Sequence, residues 1–134
     1  MQIIYTDGGC SGNNQLDISK RQMVAVVTDD KGNVLVEKKQ EGGSSNIAEL
    51  SAVKEALMWC VVNEIKAIRI LTDSMNNLKW IHNRKIGKGI NSVEMVNNLK
   101  TIIDACRKDI IMELQWIPRE ENLAGHYIEA KYNL

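Results

Sequence analysis

Two aspartates each follow directly after a short apolar segment of the chain. Asp7 follows the run Gln2–Thr6, and Asp73 follows the run Lys66–Thr72. Both runs have the composition of β-strands, and the helical pattern between them predicts that they pair in parallel. Because ligands bind outside the carboxyl ends of parallel strands, we expect both carboxylates at one edge of the sheet. Two carboxylates one strand apart repel each other, and a hard cation such as Mg²⁺ between them offsets that repulsion.

Each aspartate also has a purely structural interpretation. Asp73 precedes a predicted helix, and it fits the N-cap of that helix equally well. For Asp7 the structural interpretation is weaker, because Gly8, Gly9 and Gly12 follow it. Glycines at such a density favour a backbone that a ligand approaches closely.

Glu49 is the third acid that the pattern brings to this edge. It lies three residues after Asn46, in the first turn of the next predicted helix. The two residues fit a capping box, and this structural interpretation is the stronger one for Glu49 taken alone. However, the apolar stripe of the helix begins at the next residue, so Glu49 lies beside the sheet-facing side. From that position its carboxylate can point at the same strand ends as Asp7 and Asp73.

The elements that must position these acids follow from hydrophobic periodicity and from glycine-containing turns. The first three strands form an antiparallel meander, and the last two strands are reached through helices. The sequence therefore predicts an α/β fold with a five-stranded mixed sheet, three strands antiparallel and then two parallel, flanked by helices. The predicted strands are Gln2–Thr6, Met23–Thr28, Val34–Lys38, Lys66–Thr72 and Ile110–Ile117, and the predicted helices start at Asn46, Ser74, Ser92 and Glu120.

The composition narrows the class of protein. The 134 residues fit one domain, residues 1–134. No apolar run approaches the roughly 18 to 20 residues that span a bilayer, and the first residues lack a signal-peptide pattern, so we expect a cytoplasmic protein with no membrane contact. Cys10, Cys60 and Cys106 are odd in number and widely spaced, which argues against disulfides and against a zinc site. The formal net charge is zero, so nucleic-acid binding must rest on a local basic patch.

Four short segments, in this order and on these elements, match the pattern of one family. They are TDGGCSGN (Thr6–Asn13), NIAELSAVKEAL (Asn46–Leu57), ILTDS (Ile70–Ser74) and WIPREEN (Trp116–Asn122). Together they make the chain resemble type 1 ribonuclease H over nearly its whole length, as a small bacterial or phage-like member. The resemblance implies the ribonuclease H-like fold. It also implies hydrolysis of the RNA strand of RNA–DNA hybrids, giving 5′-phosphate and 3′-hydroxyl ends.

By the same resemblance, the three acids are catalytic residues and ligands of two divalent ions, Mg²⁺ or Mn²⁺. Asp7 would bridge both ions, and Glu49 and Asp73 would each complete the shell of one ion. Such ions activate a water molecule and stabilise the leaving 3′-oxygen of an in-line displacement.

The resemblance also implies how the hybrid binds. Asn13, Ser45 and Asn46 fall at positions that contact its minor groove, where the 2′-hydroxyl distinguishes RNA from DNA. Lys79 and Lys85 suit a phosphate track, although a solvated loop is nearly as good an interpretation. The full set of expected substrate contacts, which includes backbone groups of the glycine segment, is Gly8, Gly9, Cys10, Asn13, Ser45, Asn46, Lys79 and Lys85.

The last helix departs from the family pattern. The family has N-x-x-A-D there, with the Asp as a fourth acid, whereas this chain has Asn122 at the Asn position and His126 at the Asp position. Three candidates for the fourth ligand stay open. They are the side-chain carbonyl oxygen of Asn122, the imidazole of His126, which suits Mn²⁺ better than Mg²⁺, and Glu129 one helical turn further on. Asn122 is slightly favoured because it lies nearest the strand ends, and an exposed helix face is the alternative for the other two. The His-bearing loop of the family is also replaced, by PREEN.

Two hypotheses follow. The first is an active ribonuclease H that acts on an RNA–DNA hybrid as a monomer, with no obligate protein partner. The second is a ribonuclease H-like nucleic-acid-binding module with weak or no catalysis. Three converging acids favour the enzyme, because a binding module has no need of them, while the altered last helix and the neutral net charge keep the second hypothesis open.

Overall fold

The computed structural model describes residues 1–12, 16, 20–83 and 93–134. Within these residues the chain forms five strands and four helices in the predicted order. The strands are β1 (Gln2–Ser11), β2 (Gln22–Asp29), β3 (Val34–Glu41), β4 (Ala67–Thr72) and β5 (Ile111–Trp116). The helices are α1 (Ser45–Val62), α2 (Met75–Asn83), α3 (Val93–Cys106) and α4 (Leu123–Tyr132), and a short 3₁₀ turn, Arg119–Glu121, precedes α4.

The strands form one mixed sheet in the order β3-β2-β1-β4-β5. The β1–β2 and β2–β3 pairs are antiparallel, and the β1–β4 and β4–β5 pairs are parallel. The predicted α/β sheet, three strands antiparallel and then two parallel, is therefore confirmed. The carboxyl ends of β1, β4 and β5 point to the same edge of the sheet.

The first strand is longer than the sequence predicts. The prediction that this strand ends before Asp7 is wrong, because β1 continues through Gly8 to Ser11. Its antiparallel partner β2 pairs with it as far as Ser11, whereas its parallel partner β4 pairs only with Gln2–Tyr5. The ladder with β2 thus carries Gly8 and Gly9 in extended form, and Asp7 lies where β1 passes beyond the pairing with β4.

Helices cover both faces of the sheet. The larger apolar core lies between one face and helices α1, α2 and α3, and a smaller cluster lies between the other face and α4. Helix α4 begins at Leu123 rather than Glu120, because the preceding residues form the 3₁₀ turn. The three cysteines are free, and none of the helices in the described residues is long and apolar enough to cross a bilayer.

Candidate active site

Three carboxylates from three different elements meet at the carboxyl edge of the sheet. Asp7 comes from β1, Glu49 from α1 and Asp73 from the residue after β4. One carboxylate oxygen of each residue lies within 4.8 Å of the others. In the part of the chain that the structure describes, these acids form the one group of three or more acids, histidines or cysteines close enough together to hold a metal ion. The structure thus brings together the three acids that the sequence predicts to converge.

Gly8 is what allows α1 to approach β1 at this point. A Cβ atom at Gly8 would lie 2.2 Å from the main-chain carbon of Ala48 and 2.3 Å from the main-chain nitrogen of Glu49. These distances are far below van der Waals contact, so only glycine fits between the strand and the helix. The close packing brings the helix turn that carries Glu49 beside Asp7.

Glu49 is not a helix cap. The N-cap of α1 is Ser44, whose hydroxyl accepts the Ile47 N–H at 3.3 Å. The predicted capping box of Asn46 and Glu49 is therefore wrong, because the N-cap lies two residues before Asn46. Glu49 consequently lies in the second turn of α1, where its carboxylate reaches the other two acids rather than the helix end.

Asp73 does not cap the following helix either. The hydroxyl of the next residue, Ser74, accepts the Asn77 N–H at 3.2 Å and takes the capping role. The indole Nε1–H of Trp116, at the end of β5, donates to the main-chain oxygen of Asp73 at 3.2 Å. Trp116 thus holds the main chain of Asp73, and the capping role of Ser74 leaves the Asp73 carboxylate available to the site.

Arg119 joins the acids, and the sequence interpretation missed it. Its Nη1 donates to Asp7 Oδ2 and to Asp73 Oδ2, each at 3.1 Å, and its Nε donates to Glu129 Oε1 at 3.0 Å. The signal was present in PREEN: Arg119 follows the single proline at the end of β5, beside the strand ends that carry the acids. The guanidinium partly neutralises the two aspartates while its own side chain stays 42% exposed.

Burial and mutual repulsion raise the pKa of two of the acids. Burial and, to a smaller extent, the charge of Asp73 raise the pKa of Asp7 to about 7, and Arg119 acts in the opposite direction. Burial likewise raises the pKa of Glu49 to about 7, against the lowering effect of a hydrogen bond with Ser74. Both carboxylates are therefore held in an environment where their negative charge is disfavoured without a cation.

The donor atoms of the cluster fit a divalent cation. Asp7 Oδ1 is buried and has no hydrogen-bond partner among the described residues, although a buried carboxylate oxygen is costly to leave unpaired. Carboxylate oxygens are the ligands that Mg²⁺ and Mn²⁺ prefer. The unpaired oxygen, together with the two neighbouring acids, is what a cation site requires.

The structure places the three candidate fourth ligands differently. Asn122 is fully buried, and its Oδ1 accepts the N–H groups of Ala124 and Gly125 as the N-cap of α4. His126 is exposed, and Glu129 reaches the aspartates only through Arg119. Asn122 thus has a structural role that accounts for its oxygen, and its service as a fourth ligand stays a prediction.

The described residues among the expected substrate contacts lie on β1, at the start of α1 and on α2. A side chain at Gly9 would meet Leu134 and Ile128 on the α4 side, opposite to the side on which Gly8 meets α1. Cys10 is buried, Ser45 is half-buried at the start of α1, and the exposed contacts are Asn46 and Lys79. Asn13 and Lys85 lie outside the described residues.

Comparison with known proteins identifies the family. The profile of the RNase H family matches residues 1–131. The chain belongs to the RNase H family. Curated ribonucleases H from two strains of Clostridium botulinum are 32% identical to it over 133 residues, which cover 95% of this chain and 78% of theirs. The chain is accordingly a hydrolase of the ribonuclease H type.

Solved structures of the same family share the fold. RNase H1 of Halobacterium salinarum superposes with a TM-score of 0.70 at 17% identity, covering 99% of this chain and 98% of that protein. The RNase H domain of a Mycobacterium tuberculosis protein gives 0.65 at 23% identity, with the same coverage. LC11-RNase H1 in complex with an RNA/DNA hybrid gives 0.61 at 25% identity, over 91% of this chain and 88% of that one.

Proposed function

We propose that this protein hydrolyses the RNA strand of RNA–DNA hybrids and that Asp7, Glu49 and Asp73 hold the divalent ions that the reaction needs. The observation that carries the proposal is the meeting of three carboxylates within 4.8 Å, one of them with a buried and unpaired oxygen. Membership of the RNase H family supports the reaction. The hybrid bound to LC11-RNase H1 supports the substrate.

Divalent ions in such a site supply a nucleophilic hydroxide and stabilise the leaving oxygen of a phosphodiester. We infer two ions, Mg²⁺ or Mn²⁺, and products with 5′-phosphate and 3′-hydroxyl ends. Asp7 offers the buried, unpaired oxygen, and, in line with the family resemblance, it is the residue we assign to both ions. Glu49 and Asp73 would each complete the shell of one ion.

The protein's own groups also orient the substrate. Arg119 adds a half-exposed positive charge at the edge of the acid cluster, and a guanidinium there attracts the phosphate of an approaching chain. Ser45 and Asn46 at the start of α1, with Asn13, are proposed to contact the minor groove. Lys79 is exposed on α2 and is proposed, with Lys85, to contact the DNA backbone. We propose that the protein acts as a monomer.

The test is cleavage of a hybrid whose RNA strand carries a 5′ label, in Mg²⁺, in Mn²⁺ and in EDTA. An RNA–RNA duplex and a DNA–DNA duplex of the same sequence serve as substrate controls. The variant Asp73→Asn removes one ligand charge, and Asp109→Asn is the matched control, because Asp109 is exposed before β5 at the opposite end of the sheet.

We expect cleavage of the RNA strand of the hybrid alone, only with a divalent ion, lost in Asp73→Asn and retained in Asp109→Asn. Cleavage that persists in EDTA, or that Asp73→Asn leaves intact, would contradict the metal-dependent reaction. Hybrid binding without cleavage under any metal would instead support the nucleic-acid-binding module.

A further inference from the structure

A fully buried asparagine lies behind the acid cluster on α2. Asn77 has no exposed surface, and it occupies the apolar side of a short helix that also buries Trp80 and Ile81. Asparagine is mostly exposed in folded proteins. A polar side chain in the core therefore calls for an explanation from its contacts.

The contacts of Asn77 connect the two segments that carry Glu49 and Asp73. Its Nδ2 donates to the main-chain oxygen of Glu49 at 3.1 Å and to Thr72 Oγ1 at 3.3 Å. Thr72 is the last residue of β4, and its hydroxyl also accepts the Ser74 N–H at 3.1 Å. One amide group thus holds the turn of α1 that bears Glu49 against the strand end that bears Asp73.

The hydrogen-bonding groups of this amide are only partly satisfied. Asn77 Oδ1 is buried without a hydrogen-bond partner among the described residues, and a buried carbonyl oxygen in that state is destabilising. Leucine has the same branching and no polar atoms, so Asn77→Leu removes the unpaired oxygen along with the two hydrogen bonds, while Thr72 Oγ1 keeps the Ser74 N–H as a partner. We therefore expect an aliphatic side chain at this position to change the stability of the fold little.

We propose that Asn77 is a positioning residue that fixes Glu49 relative to Asp73 and so sets the geometry in which the acids bind a divalent ion. The inference rests on the proposed function of the cluster. It concerns a residue that touches neither the ion nor the substrate and acts through the backbone of Glu49. Its loss is expected to weaken ion binding and catalysis in the way that groups supporting a ligand do, by 10- to 100-fold.

The experiment compares Asn77→Leu with Asn76→Leu, the same substitution one residue earlier on α2. Three quantities are measured: the Tm in EDTA, the Kd for Mn²⁺ by calorimetry on the protein without nucleic acid, and kcat and KM for hybrid cleavage. For Asn77→Leu we expect a Tm equal to or above that of the wild type, Mn²⁺ binding weakened at least about tenfold, and a lower kcat with little change in KM. For Asn76→Leu we expect Mn²⁺ binding close to that of the wild type.

The smaller variant Asn77→Val serves if the longer leucine does not fit, since it also lacks the amide and has one heavy atom fewer. A folded Asn77 variant that binds Mn²⁺ and cleaves hybrid as the wild type does would overturn the inference. So would a lower Tm with an unchanged Kd for Mn²⁺, which is the result expected of a purely structural residue. If the wild type binds Mn²⁺ but does not cleave hybrid, the proposed function fails while the Kd comparison still decides the role of Asn77.

Discussion

Gly8→Ala is the substitution whose consequence is most sharply defined by the packing of the strand against the helix. The added Cβ would lie 2.2 Å from the main-chain carbon of Ala48, where ordinary contact begins at 3.4 Å, so β1 and α1 must separate by about 1.2 Å. The obstacle is helix backbone, which cannot rotate away, so we expect the upper end of the overpacking range, about 3 kcal/mol. A domain of ordinary stability remains folded after that loss.

The same displacement moves Glu49 away from Asp7. A misplacement of about 1 Å lowers the rate of an enzyme by on the order of 100-fold, so we expect a loss of that size in kcat at a temperature where the variant is folded. The matched variant is Gly9→Ala, in the same strand, whose Cβ would have side-chain rather than main-chain atoms as its nearest neighbours, from Leu134 at 3.0 Å and from Ile128 at 3.3 Å. Its effect on stability should stay below about 1 kcal/mol.

The assay is single-turnover cleavage of the labelled hybrid by both variants, with urea denaturation to establish the folded fraction. Gly8→Ala should lose at least about tenfold more activity than Gly9→Ala, together with about 3 kcal/mol of unfolding free energy. Equal rates for the two variants, measured on fully folded protein, would refute the argument that the contact between β1 and α1 sets the position of Glu49.

Three further predictions concern ion pairs and a helix cap. Hydrogen bonds from Lys131 and the two tyrosines of α4 lower the pKa of Glu37 to about 2, so its charge stabilises the fold above about pH 4.5. In urea denaturation, the wild type should be more stable than Glu37→Gln by about 1 kcal/mol after allowance for solvent screening, and this difference should vanish as the pH falls towards 2. Arg119→Met leaves two aspartates without their counter-ion, so its Tm should fall more in EDTA than in Mn²⁺, and an equal fall in both would contradict this. Asn122→Ala removes a buried cap and should cost about 2 kcal/mol with much of the activity, whereas Glu129→Ala should cost less of both, and the reverse order in activity would transfer the fourth-ligand role to Glu129.

The sequence predicted the elements and the convergence of the acids because both depend on local patterns. Strand and helix periods give the order of the elements, and parallel pairing brings the ends of β1 and β4 to one edge. The extension of β1 beyond Asp7 depends on the ladder with β2, which is a long-range pairing that no local pattern encodes. Gly8, which the local pattern treats as a break in the strand, is the residue that lets α1 approach it.

The details of the site depended on contacts that only the folded chain supplies. The cap of α1 is Ser44 rather than Asn46, and the local pattern could not decide between them, because serine and asparagine have nearly equal cap preference. Arg119 is 46 residues from Asp73 and 112 from Asp7 along the chain, so its place after the proline indicates only that it lies near the strand ends, and its partners depend on the fold. Asn77 likewise has no sequence pattern that distinguishes it from other polar residues of an amphipathic helix, because its partner Glu49 is 28 residues away along the chain.

The most direct test of the assignment of the acid cluster is the rate at which Asp7→Asn cleaves the hybrid at saturating Mn²⁺, relative to the wild type. This substitution keeps the shape of the side chain and removes the charge of the one acid with a buried, unpaired oxygen. We predict correct folding by circular dichroism and a rate lower by on the order of 1000-fold, as the loss of several kcal/mol of metal-ion stabilisation implies. A rate within tenfold of the wild type would contradict the assignment of Asp7, Glu49 and Asp73 as the metal-binding catalytic centre.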